Sequence, residues 1–112
     1  VKYVLLFAET EKFAKELAAM NDDERQAAYE QVMEWFGRHA AQITHYGHLQ
    51  PAHTATTMRL DGPEPLLTDG PFVEGKEVVS GYAEVEVADL DEALAVARDW
   101  PACPIVEIRP LT

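Results

Sequence analysis

"VKYVLLFA", residues 1–8, is apolar on both sides of an extended chain. Alternation puts Val1, Tyr3, Leu5 and Phe7 on one face and Val4, Leu6 and Ala8 on the other, with Lys2 the one polar residue. A strand of this kind must be covered twice. Amphipathic helices can cover one face, and the reading of the remaining chain turns on what covers the other.

Two helical patterns follow. A weak one spans residues 10–20 around Phe13 and Leu17. A strong one begins after Asn21, where Asn-x-x-Glu with Glu24 forms a capping-box pattern. It places Tyr29, Val32, Phe36, Ala40 and Ile43 at 3/4 spacing, which predicts a helix over 22–43. Residues 46–50 and 54–60 read as strands, or one bent strand, interrupted at Pro51. Asp61-Gly62-Pro63 turns the chain back into a short run at 65–68. "VVSGYAEVEVA", 78–88, is a strand with Val79, Gly81, Ala83, Val85 and Val87 on one face and Tyr82, Glu84 and Glu86 on the other. Asp89 caps a further helix with Leu90, Ala93, Leu94 and Ala97 as its stripe, ended by Pro101. "PIVEIRP", 104–110, is the last strand.

The order is βαββαβ with an extra hairpin, the ferredoxin-like arrangement of an α+β protein. Both helices are expected on one face of a four-stranded antiparallel sheet. The first strand then requires cover on the opposite face, and a second copy of the chain supplies it most simply, as a homodimer packed sheet to sheet. Tyr82, Glu84, Glu86, Glu107 and Arg109 fall on that face, as the rim of the interface or the lining of a cavity.

A length of 112 residues makes one domain, 1–112, with enough core to fold without disulfides or metals. The net charge of −11, with nine Lys and Arg scattered along the chain, argues against nucleic acid and anionic membrane as partners. The single cysteine, Cys103, forms no internal disulfide and fits a reducing cytoplasm, and with Pro101, Ala102 and Pro104 around it nothing activates it. No apolar run is long enough to span a membrane, and the first apolar stretch reads as a strand rather than a signal peptide.

The chemistry concentrates in "LLTDGPFVEGKEVVSGY", 66–82, which carries a second Asp-Gly-Pro at 69–71. Asp before Gly needs no function beyond capping a turn. Yet the first copy already supplies the hairpin turn, so the second also suggests a loop that presents Asp69 as a general base beside a pocket. Phe72 is expected to anchor that loop in apolar surroundings. Lys76 and Glu77 read either as a solvated surface or as partners of Asp69 and contacts for a carboxylate ligand. Of the four histidines, His39 sits near Trp35 on the helix and His45, His48 and His53 surround the next strand. Their spacing matches no metal motif, so no metal is expected. His48 shares a strand face with Tyr46 and is the best acid or base, with His53 next. No phosphate loop or nucleophile elbow occurs, and no cofactor is expected.

"TDGPFVEGKEVVSGY" resembles the signature of the DGPF-type proteins of the YCII-related superfamily. "VKYVLLFAE", "LQP", "TATTMRL", "VADLDEAL" and "VEIRPL" agree with the same family, so the resemblance covers nearly the whole chain. It implies a dimeric α+β barrel of ferredoxin-like subunits that binds or transforms small molecules. Better-studied relatives pair a His in the first long helix with an Asp as an acid–base site, and one is a dehydrochlorinase. This chain has Tyr29 and Glu30 in the early half of that helix and no His, so the dyad does not carry over. Two functions remain open. One is a cofactor-independent lyase or isomerase that moves a proton on a small organic acid or lactone, with Asp69 and His48 as acid and base and Tyr82 or Lys76 orienting the substrate. The other is a non-catalytic small-molecule-binding or regulatory module.

Overall fold

The computed structural model describes residues 1–72 and 75–112. Its elements are β1 (Lys2–Thr10), α1 (Glu11–Ala19), α2 (Asp22–Arg38), β2 (Ile43–His48), a 3₁₀ turn (Ala52–Thr54), β3 (Thr56–Arg59), β4 (Leu66–Asp69), β5 (Glu77–Glu86), α3 (Leu90–Arg98) and β6 (Ile105–Pro110). Local chemistry starts each helix. Thr10 Oγ1 accepts from Phe13 N at 3.1 Å to cap α1. The α2 capping box forms in both directions, Asn21 Oδ1 from Glu24 N and Glu24 Oε1 from Asn21 N. Asp89 caps α3 through Glu92 N at 3.0 Å.

β2, β5, β1 and β6 form one antiparallel sheet in that order, with β1 between β5 and β6. Leu5, Phe7, Ala83 and Val85 are buried on one face beneath Trp35 of α2 and Ala93 and Val96 of α3. Trp35, 1% exposed, donates from Nε1 to the Val96 carbonyl at 3.0 Å and meets Phe7 and Trp100 edge to face. Among the described residues no helix covers the other sheet face, and the register puts Val4, Leu6 and Ala8 there with Tyr82, Glu84, Glu107 and Arg109.

The expected barrel is corrected. The four-stranded sheet is open, with β2 and β6 as edges, and β3 and β4 pair apart from it as a second, two-stranded sheet. A barrel needs its edge strands to pair around a closed circuit, and among the described residues neither edge does so. The chain is therefore an α+β fold with a four-stranded and a two-stranded antiparallel sheet. α2 is also shorter than the spacing predicts. It ends at Arg38, and Ile43 instead opens β2 opposite Val85, because an apolar residue satisfies the helical stripe and the sheet core equally well.

The two Asp-Gly-Pro turns have different jobs. The first lies at the tip of the β3–β4 hairpin and the second at its base. There Gly70 N donates to the Ala55 carbonyl at 2.7 Å and the Gly70 carbonyl accepts from Thr57 Oγ1 at 2.6 Å. Gly70 has φ +95°, the left-handed region that favours glycine. The hairpin is an arm with its apolar residues exposed, among them Leu60, Leu66, Leu67 and Met58. It helps make the molecule flat, 48 × 40 × 18 Å, with a radius of gyration of 16.1 Å. A compact chain of this length would have a radius near ~13 Å.

Trp35→Phe keeps a ring in the core but removes the donor to Val96. A loss of about 2 kcal/mol in urea unfolding is expected, and a loss below about 0.5 kcal/mol would show that the contact does not hold α2 to α3.

Candidate functional site

A cavity of about 660 Å³ opens between α1, α2 and the β2–β5 edge of the sheet. α1 buries none of its residues fully and meets the core through the half-buried Phe13, while α2 and α3 seal the core beside it. The walls are largely aromatic and aliphatic: Phe7, Phe13, Leu17, Val32, Met33, Phe36, Tyr46 and Trp100. Trp100 stacks on Phe7 with centroids 3.9 Å apart and planes 15° apart, and Tyr46 packs on Phe36 at 4.5 Å. The volume lies in the range typical of sites for drug-sized molecules.

Two β-bulges set which polar groups face the cavity. The β1–β5 register shifts between Phe7 and Ala8, leaving Ser80 as the extra residue. Ser80 lines the cavity, its Oγ 3.4 Å from the Phe7 carbonyl and 3.9 Å from Cys103 Sγ. The β2 register shifts between Ile43 and His45, so Ile43 meets Val85 on the core face while His45 meets Glu84 on the open face. Tyr46 and His48 then return to the cavity side opposite Ala83 and Gly81. On the open face the Tyr82 hydroxyl meets His45 Nδ1 at 3.1 Å, its ring crossing Gly47, where a Cβ would lie 2.7 Å from Tyr82 Cε1.

The sequence-derived residues divide accordingly. His48 lines the cavity with Tyr46, as strand alternation suggested, and Tyr82 also borders it. Asp69 ends β4 on the arm, exposed, and does not line the cavity with His48. Phe72 is 74% exposed, so the expected apolar anchor is not made, and its carbonyl lies 3.5 Å from Arg59 Nη2. Lys76 lies in a separate shallow recess with Glu9, Thr10 and Glu11. Glu77 begins β5 and His53 lies in the 3₁₀ turn, both exposed. Among the described residues neither Lys76 nor Glu77 pairs with Asp69. Val73 and Glu74 of the motif lie outside the described residues.

His39 has a structural partner instead, Asp99 Oδ2 at 3.1 Å, which also faces Arg38 Nη1 at 3.6 Å and ties the ends of α2 and α3 together. No group of three or more His, Cys, Asp or Glu among the described residues could hold a metal. No helix among them is long and apolar enough to cross a membrane.

Sequence reasoning missed Glu9, Arg25, Ser80 and Cys103 as cavity residues. Signals existed for two of them, Ser80 and Arg25. Gly81 inside an alternating strand hints at a bulge beside it, and Arg25 is a base immediately after the three acids of the α2 first turn.

The YCII-related domain matches residues 1–112, and the chain belongs to that family. It is also 38% identical over 76 residues to the uncharacterized protein R00369 of Rhizobium meliloti (strain 1021), a match covering 64% of this chain and 61% of that protein. The chain thus spans about three-fifths of that relative's length.

Gly47→Ala is expected to push the Tyr82 ring off the β2 backbone and break the bond to His45, at a cost of about 1–2 kcal/mol. In a Tyr82→Ala background the same change should cost far less, and a double-mutant cycle in urea reads the difference. Equal costs in both backgrounds would contradict the packing of Tyr82 on Gly47.

Proposed function

We propose that this YCII-related chain binds a small, largely apolar molecule in the cavity between α1, α2 and the sheet edge. One observation carries the reading: a cavity of about 660 Å³ whose walls are mostly aromatic and aliphatic, with few polar groups. Such walls favour a ring-bearing ligand, because aromatic pairs add to area burial. Proton transfer on a small organic acid or lactone is the second reading, favoured by His48 on the cavity wall. In that reading Glu9, rather than Asp69, is the carboxylate that lines the same cavity.

Ala28 lies on the α2 side of the cavity and is half-buried, so Ala28→Trp fills the space from a position that tolerates bulk. With the neutral ring compound 2-naphthol at about 100 times its Kd, mass action gives about 2.7 kcal/mol, a rise in Tm of about 10 °C. Ala28→Trp is expected to abolish that rise while keeping the fold by circular dichroism. A full response in the mutant would contradict the cavity as the site. His48→Ala should bind 2-naphthol as wild type does.

We infer also that a second copy covers the open sheet face. Four strands about 4.8 Å apart and about seven residues long at ~3.4 Å each offer on the order of 450 Å² per copy, roughly 900 Å² in total, the range of a weak, concentration-dependent interface. The support is the aliphatic stripe Val4, Leu6 and Ala8 down the strand beside β6, with charged residues of β5 and β6 around it. Sedimentation should give twice the chain mass of 12.5 kDa for wild type and a monomer for Leu6→Glu. A monomeric wild type at high concentration would contradict the pairing.

A further inference from the structure

The cavity contains one cation among its described lining residues, Arg25, in a chain of net charge −11. Arg25 is exposed, and its guanidinium reaches backbone carbonyls at the end of α1: Nε donates to Met20 O and Nη2 to Ala18 O, each at 3.3 Å. These contacts cap carbonyls that the helix terminus leaves without intrahelical partners. They use two of the five N–H donors and leave both donors of Nη1 uncommitted. No carboxylate among the described residues lies within ion-pair distance of Arg25.

The opposite end of the cavity has the opposite character. Glu9 lines it just before the start of α1, and α1 is nine residues long. At 1.5 Å per residue the helix spans about 13 Å, so Glu9 and Arg25 belong to its two ends, with the aromatic walls between. An anionic group is disfavoured at the Glu9 end and favoured at the Arg25 end. Asp22, Asp23 and Glu24 crowd the neighbouring first turn of α2 and disfavour a dianion such as a phosphate monoester. A carboxylate, with one charge and a planar pair of acceptors, suits the planar fork of a guanidinium whose Nη1 donors are free.

We infer that the ligand is a ring-bearing monocarboxylate, its ring between the aromatic walls and its carboxylate on Arg25. This inference rests on the cavity reading above and adds the charged group and its anchor. Arg25 serves here as a specificity residue.

The test compares 2-naphthylacetate with its neutral amide, 2-naphthylacetamide, by titration calorimetry on wild type, Arg25→Gln and Arg25→Lys. Wild type is expected to bind the acid at least about tenfold more tightly than the amide, as a charge-assisted contact gives. Arg25→Gln should remove that preference and leave amide affinity within about twofold, which also shows that the cavity survives loss of the α1 cap. Arg25→Lys should keep part of the preference, because a point charge replaces the planar fork. Equal binding of acid and amide by wild type, or an undiminished preference in Arg25→Gln, would overturn the assignment and leave the cavity reading standing. Binding of neither compound by wild type would overturn both.

Discussion

Trp35 is the contact on which the rest of the fold depends. Its ring fills the space above Phe7, its edge meets Trp100, and its Nε1–H reaches across to the Val96 carbonyl of α3. One side chain thereby joins α2, α3 and the central strand. With those helices drawn onto the sheet, α1 reaches the core only through Phe13. It bridges β1 and α2, and the cavity lies between it, α2 and the β2–β5 edge of the sheet. Trp100 has a double role, packing against the core through Trp35 while its stack with Phe7 forms cavity wall.

The two faces of the sheet follow from β1. Its inner residues, Leu5 and Phe7, are buried beneath helices, whereas Val4 and Leu6 face the side without helices. The bulges at Ser80 and Thr44 sort the neighbouring strands between those faces. Without the shift in β2, His45 would share the core face with Ile43; with it, His45 joins Tyr82 and His48 joins the cavity. An irregularity of one residue thus separates two histidines that lie three positions apart.

The βαββαβ order, the α+β class and the four-stranded antiparallel sheet were legible in the sequence, because period-2 and period-3.6 patterns and capping signals such as Asn21 and Asp89 are local. The α2 end was not, since Ile43 suits either pattern. The open sheet was also not legible: whether the edges of β2 and β6 find partners is a long-range matter. Strand parity put His48 on the face of Tyr46, and both line the cavity. Glu9 and Arg25 meet at the cavity only through the packing of α1, and no spacing in the chain encodes that meeting, whereas Ser80 reaches it through the bulge beside Gly81. Asp69 drew notice from its motif, yet its turn closes the base of the arm, where Gly70 bonds to Ala55 and Thr57.

The central claim is that the cavity beneath α1 is where a ligand binds, and the two tryptophans allow a direct test. Trp100 lines the cavity, whereas Trp35 does not and has its indole N–H bound to Val96. In a ¹H–¹⁵N spectrum titrated with 2-naphthol, the Trp100 indole signal should move together with backbone amides of α1 and β2. The Trp35 indole signal and the β3–β4 amides should stay in place. Movement confined to the arm or to the open-face residues Glu84, Glu107 and Arg109 would contradict the account.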